Sequence, residues 1–461
     1  MKSILPKLLL GLALLALTTG FSFRCSRTQL SQLPTVNLEY WRVFDGEDTM
    51  SEIINKFQRL HPNIVINYKK FRYDEYEQQL LNAFAEDRAP DIFSIPNTWV
   101  GRYVGRILPQ PAEITLPTLR IQGTLKKEPV IIEESTPGLT ARQVQQLFPD
   151  VVFLDVVQNL SKVLALPLAL DTMVLYYNRD LFNQAGITHP PKTWKEIQEL
   201  TPKLTKRDER GNITQSTIAL GGSTNIPRFF DIVSMLMMQN GTLMVGEDGT
   251  PLFNKLPPGS ERNQLPGPEA LQYYTDFGSP EKTTYSWNST LPYAVDMFSQ
   301  GRLAMMLGYS YHLNILKSSA AQINWDIAPL PQVDPTSRLE YANYWVETAS
   351  KKTQHPNEAW GFILYATAEE NVGSYIRTTS KPPALRNLLP QTTGKPLPHP
   401  HNIWADSVLT ARSWYQGQNP LVAEDIFASM IDVVVQGDLE VNKAIQRGVG
   451  QIAETMVERR P

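Results

Sequence analysis

Cysteine is almost absent from this chain of 461 residues. The one present, Cys25, leaves no intramolecular disulfide and no cysteine-based metal cluster to be formed. Histidine is scarce as well, at 6 residues, and no zinc-binding histidine motif, Ser-His-Asp arrangement or glycine-rich phosphate loop stands in the sequence. Neither a metal nor a cofactor is therefore expected. Positive charge has no excess: 43 Lys and Arg against 46 Asp and Glu give a net charge of -3, which provides no electrostatic footprint for nucleic acid. What remains is a globular composition, 42% hydrophobic, in a chain long enough for two domains of ordinary size.

The N-terminus has the character of an export signal. Lys2 and Lys7 flank its start and Leu8 to Leu17 is almost wholly apolar, yet this run falls short of the roughly 20 residues that a stable membrane span needs. Cys25 follows directly, which suggests lipidation of a lipoprotein, although Phe23 and Arg24 are poor residues to precede such a cysteine. An uncleaved anchor from about Ile4 is the rival, and a freely secreted chain is the plainer alternative. Residues 1–25 are expected to be signal or anchor and 26–35 a tether. A membrane-tethered, extracytoplasmic protein is the favoured reading.

Leu166 to Phe182 organises the chain. Its proline-interrupted apolar run passes into Val174-Leu175-Tyr176-Tyr177-Asn178, one extended path with a bend at Pro167 and then a short helix. Asp171 sits just past the bend. A carboxylate in an apolar run needs a polar cleft or a bonding partner. Ala185-Gly186-Ile187 and Pro190-Pro191-Lys192-Thr193-Trp194-Lys195-Glu196 follow. With these residues the sequence resembles the extracellular solute-binding proteins of ABC importers, in particular the carbohydrate-binding family that includes maltose-binding proteins. The resemblance implies an α/β, periplasmic-binding-protein-like fold of class II: two α/β lobes joined by hinge crossovers, with a ligand cleft between them. It also implies that Asp171 reaches into that cleft. The lobes are expected at 36–168 plus 332–383 and at 169–331 plus 384–461.

The remaining chain fits this plan. Val36 to Trp41, Thr49 to Leu60 and Ile64 to Tyr68 read as strand, helix and strand, with Met50, Ile53, Ile54, Phe57 and Leu60 on one helix face, a βαβ unit. A helix at 74–87 and a strand at 89–95 follow. Ligands of open parallel sheets bind beyond the carboxyl ends of the strands, which nominates Trp41, Asp45, Thr98 and Trp99. Asp91 is assigned to structure by the resemblance. Residues 109–149 read as a proline-rich insertion and surface excursion containing a strand at 129–134. Phe298-x-x-Gly301-x-x-Ala304-Met305-Met306-x-Gly308 also resembles the carbohydrate-binding group and nominates Tyr309, Ser310 and Tyr311, whereas the methionines of 235–238 are core filler. Helices are expected at 403–413, 421–430 and 439–459.

Sugars present hydroxyl edges and apolar CH faces, so their sites combine aromatic platforms with charged hydrogen-bonding groups. Trp41, Trp99, Trp287, Tyr309, Trp345 and Trp414 are the expected platforms, Asp45 and Asp171 the acceptors and Arg386 a donor. Taken singly, each tryptophan is as readily a core residue. The expected function is a monomeric substrate-binding component that closes on a carbohydrate and delivers it to the transmembrane subunits of an ABC permease, without catalysis. Alternatives are a non-sugar solute, a sugar sensor and a glycosidase built on Asp171 and Asp296. Tyr176-Tyr177 resembles a ferric-ion tyrosinate pair, but neighbouring strand residues face opposite sides.

Overall fold

The structure, a computed structural model, describes residues 33–124 and 126–456. Cys25 and the apolar N-terminal run lie outside these residues. Packing divides the chain into two compact units: unit 1 runs to residue 93 and adds 110–138 and 348–366, and unit 2 comprises 94–109, 139–347 and the chain from 367 onward.

Unit 1 is a parallel βαβ arrangement. Strand β1 (Val36–Arg42) pairs in parallel with β2 (Ile64–Lys70), from Val36 opposite Ile64 to Arg42 opposite Lys70. Helix α1 (Glu47–Leu60) connects them and buries Met50, Ile53, Ile54 and Phe57, the face given by its 3.6-residue period. Helix α2 (Tyr73–Ala85) leads to β3 (Ile92–Pro96), which pairs with β1 at Tyr40 and Trp41. Asp91 is structural: its carboxylate accepts from Glu39 N at 2.9 Å and Thr353 Oγ1 at 2.5 Å.

The insertion folds as a hairpin of β4 (Glu113–Gln122) and β5 (Glu128–Pro137), paired without interruption from Glu113 opposite Pro137 to Gln122 opposite Glu128. It is more than a surface excursion. Ile114, Leu116 and Thr118 alternate inward and are buried, as the two-residue strand period requires, and Pro117 O is bound to the His61 ring at 2.9 Å. Burial pushes the His61 pKa down. Beyond that anchor, Ile121 is exposed.

Unit 2 contains a mixed sheet. Strand β6 (Val174–Asn178) lies between β8 (Leu303–Gly308) and β9 (Trp325–Ala328), antiparallel to both, and β8 pairs in parallel with β7 (Ile213–Ile218). Helices α3 (Trp194–Leu204), α4 (Phe229–Gln239), α5 (Tyr311–Ser319), α6 (Pro420–Val435) and α7 (Val441–Met456) belong to this unit. The methionines of α4 serve packing, with Met235 and Met237 fully buried. The single helix expected over 403–413 is corrected. It ends at Ser407, turns through Val408–Thr410, and gives Ala411 and Arg412 to a short parallel pairing with Glu340 and Tyr341. Thr410 Oγ1 bonds the Glu340 carboxylate, a tertiary bond that helix propensity cannot anticipate.

Gly278 and Gly221 bring two backbones into direct contact. A Cβ at Gly278 would overlap the Gly221 carbonyl. Gly278→Ala should therefore destabilise the protein by about 1–3 kcal/mol, measured by urea denaturation, while alanine at the open Gly105 should cause no comparable loss.

Candidate functional site

Unit 2 gathers its polar side chains where β8 ends and α4 begins. Strand β8 delivers Tyr309 and Ser310 directly after Gly308, where a side chain is excluded: a Cβ would stand 2.8 Å from His312 Nδ1 and 3.1 Å from the Tyr176 ring. Tyr309 N donates to His312 Nδ1 at 3.1 Å and Tyr176 OH donates to Tyr309 O at 2.7 Å. Burial pushes the His312 pKa down to about 4, so this imidazole is a neutral acceptor at pH 7.

Asp171 is bound to this strand end. Its carboxylate accepts from Ser310 N at 2.9 Å, Ser310 Oγ at 2.6 Å and Thr172 N at 2.9 Å. It is thus a positioning residue for the Ser310–Tyr311 turn, which differs from the expectation of a carboxylate turned to ligand. Burial raises its pKa to about 7 against these hydrogen bonds.

The centre of the site was not nominated from sequence. Asp231, in the first turn of α4, is fully buried. Arg228 grips it in a fork, Nε to Oδ2 at 2.9 Å and Nη2 to Oδ1 at 2.8 Å, while Tyr309 OH at 2.7 Å and Asn343 Nδ2 at 3.0 Å also donate to Oδ2. Arg228 caps α4 in the left-handed conformation, φ 58 and ψ 32, a strained state for a residue with a side chain. Its remaining Nη1 faces Glu424 Oε1 at 3.5 Å. Around this group stand two exposed rings, Tyr311 and Tyr293, and the Tyr341 hydroxyl, which is buried without a hydrogen-bond partner among the described residues. Tyr311 stacks on Tyr309 with centroids 6.2 Å apart and planes at 20°. The sequence signal was available in retrospect as Arg228 and Asp231, three residues apart at a helix start.

Several nominated residues are instead buried or held by protein partners, where the expectation set them against a ligand. Trp287 is fully buried and gives its indole N–H to Asn225 Oδ1 at 2.8 Å. Trp414 donates to Ser234 Oγ at 2.9 Å and packs among Phe230, Phe253 and Phe427. Tyr309 presents its hydroxyl to Asp231, not to solvent. Trp99 is buried and stacks on Tyr103. Arg386 is engaged by Phe148 O at 2.7 Å and Asp150 Oδ1 at 2.7 Å. Thr98 and Trp345 are half-buried.

A second buried carboxylate fixes that last group. Asp155 accepts from Asn97 Nδ2 at 2.9 Å, Tyr344 OH at 2.8 Å and Ser413 Oγ at 2.6 Å, so it holds the neighbours of Thr98, Trp345 and Trp414. Burial raises its pKa.

In unit 1, Trp41 is buried with its indole N–H unpartnered among the described residues, its ring 4.5 Å from Phe71 and under Lys69 Nζ at 5.1 Å. Asp45 is paired with Arg42 at 2.9 Å. Tyr176 is fully buried while Tyr177 is half-exposed, so the two phenols do not converge on an ion. Asp296 is exposed.

A family model for bacterial extracellular solute-binding proteins matches residues 45–373. The chain belongs to this family. Among its members, the maltodextrin-binding protein MdxE of Bacillus subtilis (strain 168) is 28% identical over 233 residues, 49% of this chain and 50% of that protein. The chain thus spans about half the length of that relative. The sn-glycerol-3-phosphate-binding periplasmic protein UgpB of Salmonella typhimurium is 28% identical over 204 residues, 42% of this chain and 39% of its own. A cyclo/maltodextrin-binding protein complexed with maltotetraose superposes with a TM-score of 0.67 at 16% identity, covering 94% of this chain and all of that one. The two-lobe α/β fold of solute-binding proteins is therefore this protein's fold, and its family places it outside the cytoplasm.

The Asp171 geometry carries a pH dependence. In the unfolded chain its pKa is near 3.8 and in the folded protein about 7, so the folded state holds the proton more tightly. Stability from this group is greatest at low pH and declines as pH rises from about 4 through about 7. The melting temperature of wild type minus that of Asp171→Asn should fall across this window and level off above it.

Proposed function

We propose that the protein is the substrate-binding component of an ABC importer and takes a sugar or oligosaccharide to a membrane permease. The observation that carries the ligand class is the pairing of two exposed rings, Tyr293 and Tyr311, with the Arg228, Asp231 and Glu424 cluster. Rings suit the CH faces of a pyranose, and a fixed guanidinium and carboxylates suit its hydroxyl edges. The maltodextrin-binding relative supports the same reading.

The action proposed is closure of two lobes, 36–168 plus 332–383 and 169–331 plus 384–461, without chemistry on the ligand. Three chain segments near those boundaries run side by side in unit 2: Ala169 bridges Pro383, Leu170 N bonds Pro382 O at 3.1 Å, Thr172 bridges Ala342 and Met173 N bonds Tyr341 O at 3.1 Å. Adjacent crossings of this kind suit a hinge, whose few residues absorb the change in backbone angles. A ligand with higher affinity for the closed form then shifts the population toward it.

Thermal unfolding with a panel of mono- and oligosaccharides tests the proposal. A ligand that binds the native state alone at about 100 times its Kd adds about 2.7 kcal/mol of stability. One sugar class should raise the melting temperature saturably without product formation, and Tyr311→Ala should weaken its binding about tenfold. Product formation, or a response only to non-sugar solutes, would sink the reading.

A further inference from the structure

The ionised groups of the Arg228 cluster are unevenly matched. Two of the three groups on the guanidinium are committed to Asp231 and the third faces Glu424, so the cation already confronts two carboxylates. Arg228 and Asp231 both act on Tyr309, Tyr311 and Tyr341. Further negative charge reaches the same surface from two sides: Asp296 acts on Tyr293 and Asp425 on Glu424. A further cation, Lys381, acts on Asp171, and its Nζ donates to Tyr375 OH at 3.0 Å. Among the described residues, a ligand at Tyr293 and Tyr311 therefore meets the matched Arg228 guanidinium beside several carboxylates.

We infer that this site admits uncharged polyhydroxylated solutes and rejects phosphorylated ones, with Glu424 as the residue that sets the discrimination. The inference rests on the solute-binding role of this cluster proposed above. A phosphate ester is dianionic at neutral pH, and to reach Arg228 it must displace Glu424 while facing Asp231, at a partly buried position where repulsion is weakly screened. A neutral hydroxyl has no such conflict: it accepts from Nη1 and donates to the Glu424 carboxylate, and the Tyr341 hydroxyl remains to be satisfied. Specificity here arises from an unfavourable term against the wrong ligand as much as from contacts to the right one.

Calorimetric titration of the whole protein with maltooligosaccharides and, separately, with sn-glycerol 3-phosphate tests this. The wild type should bind a neutral sugar and bind the phosphate ester at least about a hundredfold more weakly. Glu424→Gln, which removes the charge and keeps the shape, should narrow that ratio about tenfold. Glu440→Gln, at an exposed residue in the turn before α7, should leave it unchanged, and unchanged melting temperatures would exclude misfolding. Binding of the phosphate ester by the wild type less than about a hundredfold weaker than that of the sugar, or an unaltered ratio in Glu424→Gln, would overturn the inference even if sugars bind. If no sugar binds, the sugar reading fails by itself. Gain of glycerol 3-phosphate binding by Glu424→Gln would then still support the charge rule, and its absence would refute it.

Discussion

One fully buried carboxylate, that of Asp231, governs the geometry of the second unit's polar site. A charge so placed is tolerable only when its lone pairs are satisfied. Asp231 meets this condition with four hydrogen bonds from three residues, two of them distant in sequence: Arg228 from its own helix start, Tyr309 from the end of β8 and Asn343 from a chain segment more than 100 residues away. The cost of leaving any of these donors out of place binds the elements into one arrangement. The left-handed turn at Arg228 is accepted for the same reason, since it folds the guanidinium back onto the first turn of α4.

Two further carboxylates extend this scheme outward. Asp171 holds Ser310 by backbone and side chain, and so orients the turn that exposes Tyr311. Asp155 holds Asn97, Tyr344 and Ser413 together. Each acid holds residues distant in sequence, and the groups proposed to meet a solute lie around them: Tyr293, Tyr311 and the outer edge of Arg228 and Glu424. The cluster thus separates structural charge, buried and satisfied, from charge that faces solvent. In a member of a solute-binding family, this division suits specificity.

Sequence and structure agree most where a short-range pattern is strong. The apolar period of Met50, Ile53, Ile54 and Phe57 gave the buried face of α1, and the β-branched and aromatic run from Val174 gave β6 with Tyr176 inward and Tyr177 outward. The motif ending at Gly308 marked, through its resemblance to the carbohydrate-binding group, the strand that delivers Tyr309 and Ser310, and a tight approach to His312 and Tyr176 tolerates no side chain there. Agreement failed for aromatic residues near element ends. A tryptophan is both a favoured sugar platform and a favoured core residue, and nothing local to Trp287 or Trp414 says that Asn225 and Ser234 wait to receive their N–H groups.

The amino-acid sequence by itself determined the class of molecule: an α/β chain with a single cysteine, too few for an intramolecular disulfide, whose motifs carry the resemblance to the solute-binding family. Periodicity and glycine spacing are local constraints, and they survive in one dimension. Tertiary structure alone decided which acids are structural and which side chains remain available. That outcome depends on partners as distant as Asp155 and Ser413 or Asp231 and Asn343, and a carboxylate's role is set by the donors that surround it, which sequence neighbours do not supply.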